Sequence, residues 1–112
     1  MMVRQYNLPI KIVIINNGYL GMVRQWQHIF NDRRYSYVDL EVSPDFLKLA
    51  DAFDLKAARF DSVETFNKDF KSYITSDESI VLDCRVERED NVLPMIPAGG
   101  TVSGMMGKKG VL

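Results

Sequence analysis

Cysteine is the first thing this sequence lacks. Cys84 is the single thiol among 112 residues, so no internal disulfide can form and no cysteine-built metal site can be assembled. Histidine is equally scarce: His28 stands alone and reads as a surface residue. No apolar run approaches the ~20 residues that a membrane helix needs. The opening MMVRQYNLPIKI also lacks a long apolar segment followed by a small-residue cleavage site. A reducing, cytoplasmic compartment is the expectation. An excess of one charge is missing too, since 14 Lys and Arg face 15 Asp and Glu, and a net charge of -1 supports neither nucleic-acid nor membrane binding. What remains is 46% hydrophobic and 26% charged, the composition of a globular chain of one domain or less.

Along the chain, Met1, Met2, Val3 and Tyr6 have the spacing of the last turns of an amphipathic helix, so the chain is expected to begin inside an element. Asn7, Leu8 and Pro9 stop that helix, because the residue before a proline is pushed out of the α region. Residues 11–15 are an unbroken run rich in β-branched side chains, predicting a strand inside a parallel sheet, covered on both faces. Asn16, Asn17 and Gly18 end it, with Gly18 free to take a positive φ. From Gly21 the spacing turns helical, and Met22, Val23, Trp26, Ile29 and Phe30 make one apolar stripe, with Arg24, Gln25 and His28 on other faces. On pattern alone that stripe is core packing. Residues 31–42 show no period and predict a surface loop, in which Arg33 and Arg34 are a solvated charge pair.

Ser43-Pro44-Asp45 predicts a helix start, with serine as N-cap and proline at the first helical position. Phe46, Leu49, Ala50 and Phe53 form its buried stripe. A short strand at 57–60 comes next, then a helix capped by Ser62 with Val63, Phe66, Phe70, Tyr73 and Ile74 in period. A third strand at 80–86 sets Ile80, Leu82, Cys84 and Val86 on one face, Cys84 as a small core residue. Beyond it the prolines and glycines forbid long elements. Residues 91–98 are expected to lie against a surface, through Val92, Leu93, Met95 and Ile96, and the end from about Gly104 is not. The order is that of an α/β fold, a partial parallel sheet with flanking helices.

The junction after the first strand carries the chemistry. An asparagine oxygen at the carboxyl end of a strand and a nearby carbonyl are hard neutral ligands that suit Mg²⁺ or Ca²⁺. A helix opening at Gly21 presents free N–H groups and a positive dipole end to phosphate. Asn-Asn-Gly is also an ordinary turn.

The residues after the turn are more specific. Asn16-Asn17-Gly18-Tyr19-Leu20-Gly21-Met22-Val23-Arg24-Gln25-Trp26-Gln27 resembles the second half of the thiamin diphosphate motif, in the form it takes in the large catalytic subunit of acetolactate (acetohydroxyacid) synthases. Arg34-Tyr35-Ser36, Pro44-Asp45-Phe46 with Lys48-Leu49-Ala50, and Asn91-Val92-Leu93-Pro94-Met95-Ile96-Pro97 extend the resemblance along nearly the whole chain. It implies residues 1–88 as the C-terminal part of a thiamin diphosphate-binding domain and residues 89–112 as a C-terminal tail. It implies Mg²⁺ on the Asn17 side-chain oxygen and the Tyr19 carbonyl, and Leu20, Gly21 and Met22 along the diphosphate and thiazolium. Met22, Val23 and Trp26 would line the substrate side, where the family's tryptophan helps to favour 2-ketobutyrate or pyruvate as second substrate. This reverses the core reading of Met22 and Trp26.

The chain departs from the family in one respect. The Gly-Asp-Gly that opens the motif, with its metal-binding aspartate, does not occur here. The activating glutamate and the FAD-holding middle domain of such enzymes lie in other domains, so no catalytic residue is assigned. The expected partners are 2-ketoacid substrates, the rest of a catalytic subunit, further copies and a regulatory subunit. A fragment of a related thiamin enzyme, of the pyruvate oxidase or glyoxylate carboligase type, is the first alternative. A non-catalytic interaction module that associates through its sheet edge is the second.

Overall fold

The computed structural model describes all residues except Glu41, Ser43, Lys108, Lys109 and Leu112, and the backbone alone of Gly110 and Val111. Its elements run α1 (Met2–Gln5), β1 (Lys11–Asn16), α2 (Gly21–Phe30), α3 (Phe46–Asp51), β2 (Lys56–Phe60), α4 (Val63–Ile74), β3 (Ile80–Arg85), a 3₁₀ turn (Val102–Gly104), β4 (Met106–Gly107) and β5 (Gly110–Val111). They form two compact units: Met1–Tyr19 with Leu40–Arg88, and Leu20–Asp39 with Glu89–Leu112.

The first unit is a three-stranded parallel sheet in the order β1-β3-β2. The middle place goes to β3 because Ile80, Val81, Leu82 and Cys84 can be apolar on both of its faces, and all four are buried. On one face Phe60, Ile80, Leu82 and Cys84 make the core, closed by Phe66, Phe70 and Tyr73 of α4. Phe60 meets Phe66 edge-on with ring centroids 5.5 Å apart, a geometry worth ~0.5–1.5 kcal/mol beyond the area buried. Ser62 caps α4, its hydroxyl accepting the Thr65 N–H at 3.2 Å. Burial, and after it the charge of Asp83, push the Cys84 thiol pKa up, as befits a core cysteine.

The structure corrects three expectations. The apolar run of β1 predicts an interior strand, yet β1 is at the edge of the three-stranded sheet, with Ile12, Val13 and Ile15 exposed, because among the described residues β3 alone pairs with it. Helix α3 starts at Phe46 with Asp45 as its cap, and Pro44 precedes the helix; Ser43 lies outside the described residues. The Asp45 carboxylate accepts from both the Leu47 N–H and the Arg59 guanidinium, each at 3.0 Å, which a serine hydroxyl could not do with charge assistance. Of the stripe expected on α3, Ala50 is buried and Leu49 and Phe53 are exposed.

In the second unit, α2 is accompanied by residues 31–39, which are irregular as expected, and by the C-terminal segment. Residues beyond Gly104 depart from the expectation of an unattached end. Met106 exchanges two main-chain hydrogen bonds with Met95, at 3.0 and 2.8 Å, and β4 pairs antiparallel with β5. Backbone pairing of this kind needs no apolar pattern, so composition does not announce it.

Candidate functional site

In the first unit the end of β1 is held by side-chain amides. Asn16 is buried; its Nδ2 donates to Asp83 Oδ1 at 2.8 Å and its Oδ1 accepts the Gly18 N–H at 3.1 Å. Asn17 turns the next step in the same way, its Oδ1 accepting the Tyr19 N–H at 3.1 Å. These are two successive Asx turns, the local bonding that draws asparagine out of regular structure. Gly18 sits at φ +70°, where a side chain would be strained, and its carbonyl accepts the Leu40 N–H at 2.9 Å. The Arg88 guanidinium lies 4.4 Å over the Tyr19 ring, a cation–π contact.

Beneath this loop is a charged cluster that pattern reading overlooks. Asp83 is fully buried in β3, yet receives Asn16 Nδ2, Arg59 Nε at 2.9 Å and Arg85 Nε at 3.4 Å. Arg59 continues to Asp45, the α3 cap, at 3.0 Å. Its pKa is raised, first by the hydrogen bond to Asp83. Partial desolvation opposes ionisation of Asp45, but the Leu47 N–H and Arg59 outweigh it and hold the carboxyl below its ordinary value. The available signal is an acid inside the apolar run Ile80-Val81-Leu82-Asp83-Cys84, which is tolerated only when paired.

In the second unit, α2 opens at Gly21 with Leu20 at its cap position, no side-chain cap and no acid in its first turn. Its first N–H groups have no acceptor within the helix and mark its positive end. The faces of α2 invert the core expectation drawn from its pattern. Met22, Val23, Trp26 and Phe30 are exposed, Met22 by 58% and Trp26 by 40%, whereas Arg24 and Gln25 are only 5% and 3% exposed. The reason is hydrogen bonding. Gln25 grips the main chain of Val92, Nε2 donating to its carbonyl at 3.1 Å and Oε1 accepting its N–H at 2.6 Å, and also reaches Met95 Sδ. Gln27 grips Ser36 likewise at 3.1 and 3.0 Å. Arg24 pairs with Glu89 at 3.0 Å and lies over the Tyr35 ring. His28, partly buried, places Nδ1 2.6 Å from Tyr35 Oη. Arg33 and Arg34 stay exposed, as expected.

The assigned residues therefore divide by unit: Asn17 and Tyr19 close the first, and Leu20, Gly21, Met22, Val23 and Trp26 begin the second. As ligands for Mg²⁺, the Asn17 amide oxygen and the Tyr19 carbonyl are of the right hard, neutral type, and the Asx turn holds the amide in place. Two oxygens are fewer than the octahedral shell of that ion requires. Among the described residues no group of three or more His, Cys, Asp and Glu side chains could hold a metal. The residues present fit one part of such a shell.

The model of the family described as thiamine pyrophosphate enzyme, C-terminal TPP binding domain, matches residues 1–84. The acetolactate synthase of Arthrospira platensis is 38% identical over 106 residues, which are 94% of this chain and 18% of that protein. The large subunit from Porphyra purpurea is 42% identical over the same shares, and that from Lactococcus lactis is 42% identical over 91% of this chain and 18% of its own length. The chain thus spans 18% of the length of these curated relatives. Among solved structures, the thiamine diphosphate-dependent 4-hydroxybenzoylformate decarboxylase of Rhodococcus jostii RHA1 matches with a TM-score of 0.69 at 27% identity, over 80% of this chain and 17% of that one.

Proposed function

Because this chain belongs to the thiamine pyrophosphate enzymes, through their C-terminal TPP-binding domain, we propose that it serves as one wall of the cofactor and substrate site of an acetolactate synthase large subunit. In this reading Asn17 Oδ1 and the Tyr19 carbonyl are ligands of Mg²⁺, residues 20–22 lie along the diphosphate and thiazolium, and Met22, Val23 and Trp26 face the 2-ketoacid. Bound thiamin diphosphate would supply the electron sink on which a 2-ketoacid is decarboxylated. The chain's own side chains orient and exclude water: Asn17 is fixed by its Asx turn, and the apolar face of α2 offers a dry surface to an alkyl side chain. The observation that carries the reading is the inverted helix, whose apolar face is exposed while its polar face is committed to main-chain hydrogen bonds. A helix packed only within this unit would show the opposite.

The whole-enzyme reaction we propose joins the two-carbon unit from pyruvate to pyruvate or 2-ketobutyrate, in branched-chain amino-acid synthesis. Its partners are the rest of the catalytic subunit, with FAD held there, a second copy and a regulatory subunit. The cytoplasm is the compartment we assign on the single thiol, although the relative from Schizosaccharomyces pombe is named mitochondrial. The polypeptide alone, with two neutral ligands and no Gly-Asp-Gly, is expected to form no acetolactate, and measurable product from the pure chain refutes that. A hybrid tests the function: this chain replaces the matching segment of the Lactococcus lactis subunit, where identity is 42%. Acetolactate formation, lost on Asn17→Ala, is the expected result. A folded hybrid that decarboxylates pyruvate without forming acetolactate would favour a related thiamin enzyme.

The alternative of a non-catalytic interaction module is favoured by one feature: the exposed edge strand β1 borders an apolar groove of ≈ 390 Å³ lined by Val13, Ile15, Val63 and Val86 among others. Sedimentation showing a monomer at all concentrations would count against it.

A further inference from the structure

The strongest polar feature outside the assigned ligands is the buried carboxylate of Asp83. A carboxylate at 0% exposure in the central strand is costly unless every contact is charge-assisted or hydrogen-bonded. Its neighbours meet that demand with Asn16 on Oδ1 and Arg59 and Arg85 on Oδ2. The two arginines lie along the sheet at β2 and β3, whereas Asn16 is the residue where β1 leaves the sheet for the loop.

An ionised carboxylate only accepts hydrogen bonds, so it dictates which end of the Asn16 amide faces it. The NH₂ must point to Asp83, and the amide oxygen must then point outward, where it accepts the Gly18 N–H at 3.1 Å. That bond holds Gly18 at φ +70° and so sets the position from which Asn17 begins its own Asx turn. Were the amide to flip, an NH₂ would face the Gly18 N–H and the turn would be lost. We propose that Asp83 is a positioning residue for the loop at residues 16–19, acting through the orientation of the Asn16 amide. Under the proposed function, on which this part rests, the same relay places the Asn17 oxygen for its metal ion.

The test exchanges the two partners. In the full chain, Asp83→Asn removes the obligatory acceptor, and Asn16→Asp sets two carboxylates against each other. The double variant restores a donor on β3 and an acceptor at position 16, whose second oxygen still takes the Gly18 N–H. Amide hydrogen exchange at Gly18 and Tyr19 is expected to quicken about tenfold or more in either single variant and to return most of the way in the double variant. Rescue confined to these amides separates positioning from a general loss of stability, which the β3 amides report. Should Asp83→Asn fail to fold, the comparison of Asn16→Asp with the double variant carries the same test. Unchanged Gly18 exchange in Asp83→Asn, or a double variant no slower than Asn16→Asp, overturns the proposal. Calorimetric titration with Mg²⁺ and thiamin diphosphate of the Lactococcus lactis hybrid, which supplies the rest of the site, is a separate readout. Rescue of exchange in the chain together with cofactor binding by the hybrid that Asn17→Ala leaves unchanged would sink the cofactor reading and leave the relay standing.

Discussion

Exchanging residue types between positions 22 and 25 sets the helical pattern against the observed packing. Glutamine and methionine have similar length and similar helix propensity, so Gln25→Met and Met22→Gln change chemistry with little change in shape or backbone preference. If the apolar stripe of α2 were the buried one, Met22→Gln would be the damaging change. The structure requires the reverse. Gln25, 3% exposed, makes two hydrogen bonds to the Val92 main chain, and a thioether can replace neither. At ~1 kcal/mol for each bond, the loss is about 2 kcal/mol, with water able to reach the Val92 groups and limit it. That is about thirtyfold in the opening equilibrium of the segment. Met22, 58% exposed, has little to lose, and its replacement should fall within about 0.5 kcal/mol. The assay is amide exchange at Val92, whose N–H lies 2.6 Å from Gln25 Oε1, together with urea unfolding of each variant. Faster Val92 exchange in Gln25→Met and no change in Met22→Gln is the expected outcome. A Met22→Gln variant less stable than Gln25→Met would refute the inversion and return α2 to an ordinary amphipathic role.

Charge and burial give two further outcomes. The Asp45 carboxyl titrates below its ordinary 3.8 in the folded chain, so its contribution to stability is present above that value and fades as pH falls through the lower folded pKa; Asp45→Asn should flatten that acid limb in urea melts measured from about pH 2 to 5, and an unaltered limb would contradict the assignment. Cys84, buried and with its thiol pKa pushed up, should react with a charged disulfide reagent at about pH 8 only as fast as the chain opens, and a burst of reaction in the native state would show the core face of β3 to be accessible.

Much of the local structure is legible in the sequence because it depends on near neighbours. The cap at Ser62 and the helix break ahead of Pro9 rest on residues close by, and the Asn-Asn-Gly turn takes its first bonds from asparagine oxygens two residues back. The same holds for the junction of residues 12–26, whose order of apolar run, Asn-Asn-Gly and helix carries the family resemblance. The start of α3 lies two residues beyond the expected one because the pull on Asp45 comes partly from Arg59, fourteen positions away.

What the sequence determined by itself, then, is the order of elements, the parallel α/β class and the family. What only the tertiary structure decided is which faces are used. β1 has the composition of an interior strand and lies at an edge, because strand order is a property of pairing, not of the strand. Helix α2 has the pattern of a packed helix and buries its arginine and glutamine instead, since partners distant in sequence, Val92 and Glu89, satisfy them. Asp83 sits at the centre of the sheet for the same reason. Hydropathy records what a side chain would prefer in isolation; hydrogen bonds and ion pairs supplied from elsewhere in the chain decide whether a polar group can leave water.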